Sequence, residues 1–197
     1  SLSGPTVDEQ TIKSALSALQ RGPIRFRRNT VIACEGEAAD YVFLVVSGAV
    51  RSCKTFTNGS RSVVGFYLPG DLFGWSDQKQ HSLSVEAASD AMVLFLKRSA
   101  LLSVAAREIC VAAFVLDVTT RELRRAQAHA LLLSLSAKSR VAKFLTDLGH
   151  RLGRATTIDL LMSHQDIADH LGLTIESLSR TITDLQRSGI VSRSGRT

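Results

Sequence analysis

Cysteine is scarce in this 197-residue chain: Cys34, Cys53 and Cys110 are odd in number and far apart. That spacing argues against a disulfide framework and against Cys-x-x-Cys ligation of a metal or an iron–sulfur cluster, so reduced thiols are expected. Long apolar runs are missing too. None approaches the roughly 20 residues that a bilayer crossing needs, and the N-terminal segment lacks the basic-then-apolar order of a signal peptide. A soluble, cytoplasmic protein with no membrane association is the expectation. Catalytic signatures are also lacking: there is no Gly-x-Ser-x-Gly elbow, phosphate loop, His-Glu-x-x-His or pair of acids at a recognisable spacing. The reading is therefore a protein that is not an enzyme, with no metal site and no cofactor. The first residue is Ser1 rather than Met and the chain stops just after a strand-like pair, so neither terminus is taken as a natural end.

What is present begins with a hydrophobic fraction of 45%, ample for packed cores. A formal charge of +6 favours an anionic partner, though a surplus of this size also occurs in proteins that never touch nucleic acid. From Lys138 onward there are 9 Lys plus Arg against 6 Asp plus Glu, so half of the surplus sits in the last third.

Three textures follow one another. Residues 1–98 read as a sensor-like β-roll preceded by a short amphipathic helix, Val7 to Leu19, with Ile12, Ala15, Leu16 and Leu19 at helical spacing. The strands are short and regularly interrupted. Tyr41 to Val46 stops at Ser47-Gly48, Ala49 to Thr57 reaches Asn58-Gly59, and Val63 to Leu68 follows, with Val64, Phe66 and Leu68 assigned to one face. Leu83 to Ala87 and Met92 to Leu96 complete an antiparallel barrel or roll.

Residues 99–135 form the second texture, a helix from an N-cap at Ser99 to about Leu133 without Gly or Pro. Leu102, Ile109, Leu116, Leu123 and Ala130 recur every seven residues, with Ala105, Ala112, Thr119 and Ala126 as a smaller second seam. This suits pairing with a second copy, so Leu102, Ile109, Leu116 and Leu123 are assigned to a homodimer interface. The alternative is a core helix packed only within its own chain.

Residues 136–197 carry the functional signal. A helix from near Ser136 has Val141, Phe144, Leu145 and Leu148 on one face and ends at Gly149 and Gly153; Thr156 to Leu161 reads as a strand. Ser163 to Gly172 then has a hydroxyl N-cap, an acid three positions on and a terminating Gly. Leu173-Thr174 leads into a second helix from Ile175 to about Ser188. Two helices joined by a tight turn spell a helix-turn-helix, whose second helix enters the DNA major groove. At 100° per residue Ile175, Leu178, Ile182 and Leu185 cluster on one side, while Glu176, Ser179, Arg180 and Thr183 lie nearly opposite. Glu176, Ser179 and Arg180 are residue types that read base edges, and His164, Gln165, Thr174 and Ser177 are placed to hold phosphates. The alternative for Glu176 and Arg180 is a surface i,i+4 ion pair. Ile190 to Arg196 reads as a strand and turn carrying Arg193 and Arg196, as in a winged variant.

The succession of roll, long helix and winged helix-turn-helix resembles the CRP/FNR superfamily of bacterial transcription regulators across essentially the whole chain. The resemblance rests on Gly36-Glu37 before Tyr41, on Ser47-Gly48-Ala49-Val50, on Phe66 to Gly74 and on Glu176-Ser-Leu-Ser-Arg180. It implies an α+β fold with a cyclic-nucleotide-binding-domain-like roll. The Glu-x-x-Ser-Arg form is similar to the FNR and FixK branch, implying TTGA-like half-sites with Arg180 on the guanine, Glu176 on its paired cytosine and Ser179 on a thymine. The partners implied are double-stranded DNA as an inverted repeat, a second copy of the chain, and RNA polymerase if the protein is an activator. Where cyclic-nucleotide binders carry a Glu and an Arg, this chain reads Gly74-Trp75 and His81-Ser82-Leu83. FNR-type oxygen sensors gather N-terminal cysteines, and none precedes Cys34. A FixK-like regulator that works without a small ligand is the leading expectation. A small-molecule or haem sensor, with His81 near the effector region, is the alternative.

Overall fold

A computed structural model describes residues 20–75, 79–153 and 157–192. Two four-stranded antiparallel sheets face each other, in the orders β1-β8-β3-β6 and β2-β7-β4-β5. The strands are β1 Gln20–Phe26, β2 Val31–Ala33, β3 Tyr41–Ser47, β4 Val50–Thr55, β5 Arg61–Tyr67, β6 Leu72–Phe73, β7 Ser84–Ala87 and β8 Ala91–Lys97. The antiparallel roll expected from the sequence is formed, with strand limits within a residue or two. The N-terminal helix expected at Val7 to Leu19 lies outside the described residues.

Alternation along β3 shows why an apolar strand is needed on both faces. Phe43 and Val45 point into the roll with Val50, Tyr67, Phe73 and Val93, whereas Val42 points out with Leu72 and Leu96. The β3–β4 turn depends on Gly48, at φ +77°, because a Cβ there would stand 2.1 Å from the Asp90 carbonyl oxygen. The Asn58-Gly59 signal is a true turn: Asn58 Oδ1 accepts from the Ser60 amide, and Gly59 has φ +81°. One face assignment fails. The register passes from Ser52↔Gly65 to Cys53↔Val63, so Val64 is an extra residue. This bulge puts Val63, not Val64, beside Phe66 and Leu68, and leaves Val64 41% exposed.

The long helix is two helices, α1 Arg98–Ala105 and α2 Ile109–Leu132, separated where Glu108 is extended at φ −113°, ψ 105°. Its start is Arg98, with Lys97 rather than Ser99 at the cap. No Gly or Pro marks the break, so its cause is tertiary. In one straight helix Leu101 and Val111 would lie about 80° apart around the axis. Breaking the helix lets both, with Val118, pack on Val42, Leu72 and Leu96 of the roll. The uninterrupted heptad from Leu102 to Ala130 is corrected accordingly: only Ile109 onward shares one helix.

The chain then forms α3 Ala137–Arg151, α4 His164–Leu171 and α5 Ile175–Arg187. Gly149 is inside α3 rather than at its end, and Gly153 lies just beyond it. Residues 157–161 and 190–192 are not strands. The remainder of the expected strand and turn, with Arg193 and Arg196, lies outside the described residues. Among the described residues no helix is long and apolar enough to cross a membrane.

Candidate nucleic-acid interface

The two short helices are held by caps that the sequence spells out. Ser163 Oγ accepts from the Asp166 amide at 3.0 Å while Asp166 Oδ2 accepts from the Ser163 amide at 3.2 Å, a complete capping box. Gly172 ends α4 at φ 60°, ψ 42°, a left-handed position that glycine adopts without strain. Arg140 of α3 fixes the turn by donating from Nη1 to the Leu171 carbonyl at 2.8 Å. Thr174 then caps α5, its hydroxyl accepting from the Ser177 amide.

Burial decides which side of α5 faces out. Leu178 and Leu185 are buried and pack in one cluster with Ile167, Ala168 and Leu171 of α4 and with Val141, Phe144 and Leu148 of α3. Glu176, Ser179, Arg180 and Thr183 are exposed on the opposite side. The Glu176 carboxyl is held below its usual range chiefly by its own backbone amide, then by the Thr174 hydroxyl, with Arg180 adding charge attraction. His164, Gln165 and Thr174 are exposed at the N-termini of α4 and α5. Gln165 Nε2 is already engaged, donating to Asp169 Oδ1 at 2.7 Å. Ser177 is half-buried, and its hydroxyl lies 3.2 Å from that of Thr174. Ile175, assigned from the pattern to the packed side, is 41% exposed next to Glu176 because it occupies the first helical position, beyond the reach of α4.

A second exposed feature runs along α2. Ile109, Leu116 and Leu123 are 85%, 68% and 57% exposed, an apolar seam that this chain alone leaves in water. Val111 and Val118 on the other side are buried against the roll. Leu102 is also exposed, but on α1, across the break.

Sequence reasoning missed the joint that ties the helix-turn-helix to the roll. Arg51 of β4, itself buried, donates from Nη1 to Asp166 Oδ2 at 2.8 Å and from Nη2 to Glu86 Oε2 at 2.6 Å. Arg61 of β5 donates to Asp166 Oδ1 and to Asp169 Oδ2, each at 2.7 Å. Burial alone would raise the Asp166 carboxyl, but the Ser163 hydrogen bond and the Arg51 charge outweigh it and hold it below the usual range. The His170 ring of α4 stacks on His129 of α2, centroids 4.1 Å apart and planes within 4°. His170 Nδ1 lies 3.0 Å from the Val63 carbonyl oxygen, and burial, with His129 adding to it, lowers this imidazole to about 4. Asp71 links the remaining elements, accepting from Arg125 of α2 and from Arg151 of α3, both at 2.7 Å. The residues that meet are more than 100 positions apart in the main ion pairs, and nothing local in the sequence marks them.

Inside the roll a cavity of about 190 Å³ is lined by residues that include Ser52, Tyr67, Trp75, His81 and Glu122. Among the described residues that line it there is no Lys or Arg. Tyr67 donates to Glu122 Oε1 at 3.0 Å and Arg125 Nη1 forms an ion pair with Glu122 Oε2 at 3.8 Å, whereas Trp75 Nε1 is buried without a hydrogen-bond partner among the described residues. His81 is buried, packs near Phe43, and is lowered from its ordinary value by that burial. Among the described residues no group of three His, Cys, Asp or Glu stands ready to hold a metal.

Comparison with known proteins agrees with this architecture. Residues 23–108 match the cyclic nucleotide-binding domain family and residues 139–197 match the Crp-like helix-turn-helix domain family. The nitrogen fixation regulation protein FixK of Azorhizobium caulinodans is 40% identical over 195 residues, 96% of this chain and 79% of that protein. The transcriptional activatory protein AadR of Rhodopseudomonas palustris is 36% identical, over 85% of this chain and 72% of its own length. The structure of FixK2 from Bradyrhizobium japonicum superposes with a TM-score of 0.84 at 41% identity, covering 90% of this chain and 89% of that one. With both domains matched and relatives of this identity along most of its length, the chain belongs to the CRP/FNR superfamily of DNA-binding transcription regulators, in its FixK-like branch.

Proposed function

We propose that this protein is a homodimeric transcription activator that reads an inverted repeat of TTGA-like half-sites through α5 without cyclic nucleotide. The observation that carries the reading is the exposure of Glu176, Ser179 and Arg180 on α5, turned away from the buried Leu178 and Leu185. Arg180 is assigned to guanine N7 and O6, Glu176 to the paired cytosine N4, and Ser179 to a thymine. The exposed Ile175 adds an apolar surface suited to a thymine methyl. His164, Gln165, Thr174 and Ser177 lie at helix N-termini, where amides and hydroxyls hold phosphates.

Pairing through Ile109, Leu116 and Leu123 would bury the exposed seam and present two α5 helices to half-sites about 10 bp apart, one helical turn. Leu102 contributes from α1. The roll cavity, with no Lys or Arg among the described residues that line it, supports a reading without cyclic nucleotide, since a buried phosphate needs an Arg or Lys partner. Activation through RNA polymerase rests on the activatory role in the name of AadR. Selection of bound sequences from random DNA tests the reading: enrichment of inverted TTGA-like half-sites is expected, and enrichment of an unrelated motif would overturn it.

A second reading is supported by one polar atom at the same cavity, Trp75 Nε1, which is buried without a hydrogen-bond partner among the described residues. It suits a small ligand that offers an acceptor to the indole. A cavity of about 190 Å³ is below the roughly 300–1,000 Å³ of ordinary ligand sites, which counts against haem. A ligand-dependent rise in melting temperature would favour this reading.

A further inference from the structure

We infer that the β4–β5 face of the roll fixes the spacing at which the dimer reads DNA, with Arg61 and Asp169 as its chief positioning residues. The inference rests on the DNA-reading dimer proposed above. By chain connection alone, α2 reaches the helix-turn-helix through residues 133–136 and α3. A four-residue link leaves the orientation of α5 relative to the dimer seam undetermined.

The joint removes that freedom at three separated points. Arg61 and Arg51 hold the N-terminal half and middle of α4 through Asp166 and Asp169. His129 of α2 stacks on His170 and its Nε2 lies 2.7 Å from the His170 carbonyl oxygen. Asp71 joins α2 to α3 through Arg125 and Arg151, and Phe66 of β5 packs on Phe144 of α3. The apolar residues of β4 and β5, Cys53, Val63, Phe66 and Leu68, share one continuous cluster with those of the helix-turn-helix. Attachments on three different elements, with a packed interface between them, restrict how the helix-turn-helix can turn against the roll.

The sense of the device follows from what the joint leaves uncovered. Its groups on α4 face the roll, whereas Glu176, Ser179, Arg180 and Thr183 remain exposed. The joint therefore holds the reading head outward rather than hiding it. Each base pair added between half-sites moves them about 3.4 Å and turns them about 35°. A dimer with fixed heads must deform DNA to follow, while a dimer with loose heads does not.

The test uses the full chain and palindromes of the selected half-site with the natural separation and with one base pair added or removed. Arg61→Ala removes a positive charge and Asp169→Asn removes a negative one, so general attraction to DNA changes in opposite directions. Both are nevertheless expected to flatten the spacing profile, shrinking the penalty for one added base pair at least about fivefold, with Arg61→Lys restoring part of it. Circular dichroism melts confirm that each variant is folded. Binding of the wild type to the natural palindrome checks the underlying function separately. An unchanged spacing profile in the two folded variants would overturn the inference. So would tighter binding of both at the natural spacing, the mark of an inhibitory joint. A loss in Arg61→Ala equal at all spacings, with a shallower salt dependence, would make Arg61 a phosphate contact instead.

Discussion

Acidification from pH 7 to pH 5 is expected to cost this protein about 2 kcal/mol of stability through one imidazole. His170 sits between Phe66, Phe144 and the ring of His129, with the Arg151 guanidinium nearby and the Val63 carbonyl at Nδ1. Burial, reinforced by His129, holds its folded pKa near 4 against an ordinary 6.5. Between those values the unfolded chain binds a proton that the folded one refuses, so stability falls as pH drops. Each pH unit inside that window is worth about 1.4 kcal/mol, giving about 3 kcal/mol in full and about 2 by pH 5. Above pH 7 both states are neutral and the contribution is flat. Urea unfolding at pH 7, 6 and 5, at fixed protein concentration, measures it. The reference is His170→Asn, whose amide can still donate to the Val63 carbonyl while remaining uncharged. The wild type is expected to lose about 2 kcal/mol more than the variant over this range, carboxylate titrations being common to both. Parallel pH profiles would refute the reasoning.

Other perturbations address other parts of the structure. Leu116→Lys puts a charge on the exposed seam and is expected to give monomers in sedimentation; an intact dimer would exclude the seam as the interface. Gly48→Ala sets a Cβ against the Asp90 carbonyl at positive φ and is expected to destabilise by more than about 1 kcal/mol, lowering Tm by at least about 2–4 °C. Ser163→Ala removes half of a capping box and is expected to cost about 1 kcal/mol in thermal unfolding.

The parts of this molecule legible in the sequence are those encoded locally. Ser163, Asp166, Gly172 and Thr174 announce their caps and turn within a twelve-residue window, and the alternation of Leu178 and Leu185 against Ser179 and Arg180 announces the faces. The interruption at Ala106 to Glu108 was not legible because no residue there breaks a helix. It is imposed by where the roll offers Leu101 and Val111 a place to pack. Simple alternation misplaces Val64 because a bulge shifts it by one, and a bulge leaves no reliable mark in a single strand. The Arg51, Arg61 and His129 contacts are legible only once the fold brings β4, β5 and α2 to α4. From the sequence alone, His170 reads as one histidine among five.

The central claim is that α5 reads sequence, and Arg180→Ala tests it most directly. Affinities are measured for the selected palindrome, for the same palindrome with the guanine of each half-site replaced, and for random DNA, all at one salt concentration. The wild type is expected to discriminate at the guanine, and the variant to lose about 1–3 kcal/mol on the intact site while binding the intact and replaced sites alike. A variant that weakens equally on all three DNAs and keeps its preference for the guanine would contradict the claim.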